Sequence, residues 1–142
     1  MYYFKLAQEL LEIRRRMAKA SNFSRFTNPD SGENFVLAYL SNAKEQVNPK
    51  EIGNTMQVSS ARIAKILNQL EAKKMIARLP NTEDGRFTTI LLLPEGEVQY
   101  KKNVEQFYKN AAHFLESLGP DDATEYVRLQ NKIADIYAQT HD

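Results

Sequence analysis

Cysteine and tryptophan are both absent from this chain, and histidine occurs only twice. Without cysteine there is no disulfide, no thiolate metal site and no cysteine-based redox sensing. His113 and His141 have no Asp, Glu or His partner at ligand spacing, so no zinc pattern can be written. No Ser/His/Asp set and no phosphate-cradling glycine loop occurs, which leaves no catalytic constellation and no demand for a cofactor. Long apolar runs are missing too. Nothing approaches the roughly 20 residues that span a bilayer. Lys5, Gln8 and Glu9 interrupt the start, where a signal peptide needs an apolar stretch. A soluble, cytoplasmic protein with no membrane partner is expected. Net charge is nearly absent as well, at +1 from 19 basic and 18 acidic residues. That balance gives no support to a polyanionic partner, so the distribution of charge must decide.

What is present is an ordinary globular composition, 42% hydrophobic and 26% charged over 142 residues. This suits one domain with a packed core. From Tyr2 to about Ala20 the apolar residues Tyr3, Leu6, Leu10, Ile13 and Met17 step by three and four, the seam of a helix packed lengthwise on others. SNFSRFTNPDSG breaks the pattern. Ser31 suits the N-cap of a helix over about 32–43, with Phe35, Val36, Tyr39 and Leu40 inward. Asn48, Pro49 and Glu51 then mark a short helix start, as cap, first position and third position. Ser59 offers a second cap a few residues after that helix. From Ser60 to Lys74 the stripe Ile63, Ile66, Leu67 and Leu70 is helical again. Residues 76–79 and 87–93 are rich in β-formers and flank PNTEDG, which predicts a hairpin. A long helix over about 95–118 carries Val104, Phe107, Ala111, Phe114 and Leu118 on one seam. Gly119 and Pro120 stop it, and Asp121 or Asp122 is expected to cap a last helix with the seam Tyr126, Leu129, Ile133 and Ile136.

Two helices joined by a tight turn, with a hairpin behind them, form the winged helix-turn-helix plan. The expected fold is mostly α with a small β-hairpin wing. Residues 31–94 would form the DNA-binding module, and residues 1–30 and 95–142 a helical dimerisation region, all within one domain. The second helix would enter a major groove about 12 Å wide. With Ile63, Leu67 and Leu70 inward, Ala61, Lys65 and Asn68 face outward, flanked by Arg62 and Gln69. Arg62 and Lys65 can donate to guanine or phosphate, and Asn68 or Gln69 can pair with adenine. Ser59 and Ser60 open the helix, where free N–H groups hold a phosphate. Between Val58 and Arg78 there are five basic residues (Arg62, Lys65, Lys73, Lys74, Arg78) and one acidic, Glu71. The local balance of +4 sets this stretch apart from the chain. One amphipathic helix alone would be read as a solvated face; the serine start, the charge and the hairpin together favour DNA. Arg86 at the hairpin tip can enter a narrow minor groove, with Asp84 orienting it. Alone, that pair would be an ordinary turn.

At VSSARIAKILNQLEAKKMIARLPNTEDGRFTTILLLPEGE the chain resembles the MarR family of winged-helix regulators. The resemblance rests on LEAKKMIAR followed by DGR and LPEG. Leu70, Glu71, Arg78, Asp84, Arg86, Glu95 and Gly96 match the family pattern. It implies a symmetric dimer held by the terminal helices, two modules reading a palindromic operator, and repression released by a small aromatic effector. Carried over by position, Arg86 is the wing residue of the minor groove and Asp84 supports it. Lys74 departs from the pattern, standing where the family usually has Gly. Leu93 departs also, standing where Thr is common before the Pro-Glu-Gly turn, which leaves the cap of the long helix unspecified.

Other residues have plainer roles. The run Arg14-Arg15-Arg16 spreads around a helix as a solvated edge. Tyr2, Tyr3, Phe4, Phe23 and Phe26 are core or interface aromatics that could also line an effector pocket. Three terminal seams are more than one small domain buries, which independently favours an isologous dimer. Two rival readings remain: a winged-helix protein-interaction module without specific DNA binding, supported by the +1 charge, and an enzyme. The enzyme reading fails on its residues, since Glu51, Asp121 and Asp122 are better explained as helix-start carboxylates.

Overall fold

The structure is a computed structural model that describes residues 1–20, 31–80 and 88–140. Among the described residues, six helices and one two-stranded sheet follow in the order α1 (Tyr2–Ala20), α2 (Ser31–Asn42), α3 (Pro49–Met56), α4 (Ser60–Ala72), β1 (Ile76–Pro80), β2 (Thr88–Leu92), α5 (Pro94–Leu118) and α6 (Pro120–Thr140). The chain divides into two compact units. One comprises Met1–Arg25 with Val104–Asp142; the other is Phe26–Asn103.

The second unit is built around one apolar core. Val36, Leu37 and Leu40 of α2, Ile52 and Met56 of α3, Ile63, Ile66, Leu67 and Leu70 of α4, and Ile76 and Ile90 of the strands are all buried together with Val47. The strands pair antiparallel, with Ile76 opposite Leu92 and Arg78 opposite Ile90. Alternation along β1 therefore puts Arg78 on the same face as Ile76, toward the helices. A single further rung, Val47 to Ile90, ties the segment before α3 to β2. Nothing in the pattern around Val47 marks a strand, because one bridge needs no alternating run.

Local chemistry sets the helix ends. Asn48 caps α3 by accepting from the Glu51 N–H at 2.8 Å, with Pro49 at the first position. The Glu51 carboxylate does not return to the cap; it accepts from the Tyr39 hydroxyl of α2. Burial, then this bond, pushes the Tyr39 pKa up. The turn between α3 and α4 is made by Gln57 in the left-handed region, φ 57°, with Val58 N–H returning to Gly53 O and Gln57 N–H to Asn54 O. That is a Schellman closure on a non-glycine residue. Leu93 precedes α5; its own N–H goes to Met75 O and its carbonyl accepts from Glu97. Glu95 and Glu97 in the first turn supply the favourable charge that a capping side chain would otherwise add. One expectation is corrected. Neither Asp121 nor Asp122 caps α6, because Pro120 already opens it and Gly119 O accepts the first bond, from Ala123. Both carboxylates sit in the first turn instead.

α4 ends in a second Schellman closure. Lys74 has φ 61°, its N–H bonds Glu71 O at 2.9 Å, and Met75 N–H bonds Leu70 O at 3.0 Å. A β-carbon in the left-handed region costs roughly 1–2 kcal/mol, which glycine avoids. Lys74→Gly is therefore expected to stabilise the protein by about 1 kcal/mol, a rise of a few degrees in Tm. Thermal unfolding monitored by circular dichroism checks it; an unchanged or lower Tm would mean the Lys74 stem packs well enough to offset the strain.

The first unit joins α1, the later part of α5 and α6. Leu6, Ala7 and Ile13 of α1 are buried with Leu115 of α5 and Ala123, Val127 and Ala134 of α6. Aromatic edges fill its margin. Phe4 meets Tyr108 with ring centroids 5.1 Å apart, and Phe114 meets Tyr126 at 5.5 Å. The arginine run disperses as expected of a helix edge: Arg14 lies over the Phe107 ring, Arg15 pairs with Glu12, and Arg16 meets Asn131 and Asp135. Among the described residues no helix is long and apolar enough to cross a membrane.

Candidate nucleic-acid interface

The site is the outer face of α4 and what braces it. Ser59 caps the helix, its hydroxyl accepting from the Arg62 N–H at 3.1 Å. With Ile63, Ile66, Leu67 and Leu70 drawn inward, Ser60, Ala61, Arg62, Lys65, Asn68 and Gln69 are all exposed. The first turn of α4 holds no acidic residue. The first N–H groups of the helix, the cap and two cations thus share one end.

Four of the five cations counted in the sequence lie on α4 or in the turn that closes it, and the structure sorts all five. Lys73 Nζ pairs with Glu33 at the start of α2, at 2.7 Å. Arg78, on β1, donates through Nε to Glu71 Oε2 at 2.9 Å and through Nη2 to Asn68 Oδ1 at 2.6 Å. These bonds hold the Glu71 carboxyl below its ordinary pKa and raise that of Arg78. A depressed carboxylate contributes above its unfolded pKa and loses that contribution only as pH falls through the lowered value. The pair is therefore intact at neutral pH. Among the described residues, Arg62, Lys65 and Lys74 have no carboxylate partner. The local excess seen in sequence is real, but Lys73 and Arg78 spend much of theirs on bracing α4 against α2 and β1.

Sequence reasoning treated Arg78 as one more positive charge. The strand register shows why it is an internal brace: it shares the core-facing side with Ile76 and Ile90, so its guanidinium emerges against α4. A basic residue on the inward phase of a short strand, next to a lone acid on the preceding helix, was the available signal. Glu33 carried no such signal, because its partner lies forty positions away. Asp84 and Arg86 lie outside the described residues.

The geometry defines a class first: a winged helix-turn-helix module carried between helical ends. Comparison with known proteins agrees. The model of the MarR family matches residues 35–86. The HTH-type transcriptional repressor MdtR of Bacillus subtilis (strain 168) is 27% identical over 100 residues, covering 70% of this chain and 64% of that protein. The chain's match thus spans under two thirds of that relative's length. The crystal structure of the YusO protein from Bacillus subtilis is 25% identical, with a TM-score of 0.62 over 89% of this chain and 86% of that one. The MepR–DNA complex of S. aureus, 16% identical, shares the fold with a TM-score of 0.55 over 89% and 91% of the two chains. Residues 35–86 thus resemble the MarR family of winged-helix regulators, and the fold is shared with the solved structures compared.

Proposed function

We propose that this protein is a cytoplasmic transcriptional repressor that binds a palindromic DNA operator as a homodimer. One observation carries the reading: the outward face of α4 opens on a serine cap with Arg62 and Lys65 exposed and no acid in its first turn. Ser59 and Ser60 would hold a phosphate. Ala61, Asn68 and Gln69 would face base edges, Arg62 and Lys65 would reach guanine or phosphate, and Arg78 would support them. Asp84 and Arg86 would serve the wing, with Arg86 in the minor groove. Support comes from the relatives: MdtR is named a repressor, and MepR has been solved with DNA. The two modules would sit about one helical turn apart, near 34 Å. A small aromatic effector would release the operator by favouring a state with a different module spacing.

Phosphate contact makes DNA affinity fall with salt, with a slope of about −0.9 per neutralised phosphate. Replacing Arg62 and Lys65 together by Ala removes two cations from each module of the dimer and is expected to weaken binding and to flatten the log–log salt slope by up to about 4. Fluorescence anisotropy on a duplex, titrated at several salt concentrations, measures both. Salt-independent binding, or none, would favour a protein-interaction module instead.

A further inference from the structure

Resting on the DNA-binding reading, we propose that Asn68 reads guanine and that Arg78 is the positioning residue that fixes this choice. Arg78 Nη2 stands 2.6 Å from Asn68 Oδ1, and the same guanidinium grips Glu71 through Nε at 2.9 Å and Nη2 at 3.3 Å. A guanidinium only donates. The amide atom facing it must therefore be oxygen, and the Asn68 NH2 is turned away from the brace. Asn68 is exposed on the outward row with Ala61 and Lys65.

An asparagine pairs with adenine by using both ends of its amide: the oxygen takes the N6 hydrogen and the nitrogen donates to N7. Here the oxygen holds a charge-assisted bond to Arg78, and the guanidinium beside it repels and crowds a second donor such as the adenine N6 hydrogens. What is left to face a base is the NH2, a donor carrying two hydrogens. Guanine offers two acceptors, N7 and O6, on its major-groove edge, and adenine offers one acceptor beside a donor. A donor-only amide is complementary to guanine and meets adenine's N6 hydrogens with its own. Arg78 is anchored from behind by its strand phase and by Glu71, so Asn68 Oδ1 stays engaged while the helix sits in the groove.

The test is selection of bound duplexes from a random-sequence library by the full chain, followed by sequencing. One base-pair position should lose its preference in Asn68→Ala. At that position the unmodified protein should favour guanine over adenine by roughly tenfold. In Arg78→Met the released oxygen should turn the preference toward adenine, a change of identity that mere loosening of the helix would not produce. Asn68→Asp keeps the shape and the Arg78 contact but presents an acceptor, and should select cytosine through its N4 hydrogens. Adenine preferred by the unmodified protein, or guanine still preferred by Arg78→Met, overturns the proposal. So does Asn68→Ala with every position unchanged. An enriched operator in which no position depends on Asn68 defeats this proposal alone, whereas enrichment of no sequence defeats the operator reading with it. Absence of all DNA binding defeats the functional reading as well.

Discussion

Gly96→Ala should lower the stability of the winged unit by about 2–3 kcal/mol, the upper part of the range for forcing atoms into a filled site. A β-carbon at this buried position would lie 2.3 Å from the Met75 carbonyl oxygen and 2.6 Å from Leu92 Cδ1. The leucine can turn aside; the backbone oxygen cannot move alone. Met75 O accepts from the Leu93 N–H, the bond that sets where α5 begins, and Met75 N–H closes the end of α4 on Leu70 O. Relief of the clash therefore displaces the α4 closure, the α5 start, or both. The expected fall in Tm is roughly 5–10 °C for a chain of this size.

An internal control has the opposite sign. Gly53 lies inside α3, and a β-carbon there would meet Ile63 Cγ2 at 3.6 Å, an ordinary contact. Gly53→Ala should be neutral or stabilising by up to about 1 kcal/mol, since alanine restricts the unfolded chain and favours helix. Denaturant unfolding of both variants separates the effects. Equal losses for the two would mean that glycine's backbone freedom, and not the approach to Met75, is what position 96 requires.

The contrast also shows what a sequence displays and what it conceals. Elements with strong periodicity were legible: α1 runs from Tyr2 to Ala20 as its three-four steps indicate, and the Asn48, Pro49 and Ser59 signals start α3 and α4 where expected. The outward row of α4 followed from its inward stripe. Left-handed closures at Gln57 and Lys74 were harder, since neither residue announces a positive φ and tertiary packing imposes it. Partnerships across the fold were the least legible. Whether Arg78 faces solvent or α4 depends on strand phase, and the ends of a five-residue strand cannot be placed that finely by pattern. The α6 helix is the most instructive case. In its conspicuous large row Tyr126 packs at the margin of the buried cluster, but Leu129, Ile133 and Ile136 are not among the residues buried with α1. Ala123, Val127 and Ala134 take that role, because small side chains let two helices approach closely, and Ala7 of α1 meets them fully buried. Periodicity weighs bulk, so it pointed to the larger row.

That larger row yields the prediction with the widest consequence. Leu129, Ile133 and Ile136 remain 43%, 38% and 51% exposed in the single chain, and Phe114 of α5, which adjoins Tyr126, is 48% exposed. A contiguous apolar strip of this kind on a protein surface marks an interface. A second copy related by a two-fold axis would cover it with its own strip, as an isologous contact requires. Ile133→Glu would bring a carboxylate from each copy into that contact, without touching the buried row that holds α6 to α1. The expected result is a folded monomer: unchanged helical signal by circular dichroism, and half the mass by light scattering. Operator binding should weaken by about 10²–10⁴, because the second half-site contact ceases to be intramolecular. Binding to a single half-site should change little, which separates loss of pairing from damage to α4. If Ile133→Glu stays dimeric, another surface joins the two copies, and the exposed row of α6 serves something other than self-association.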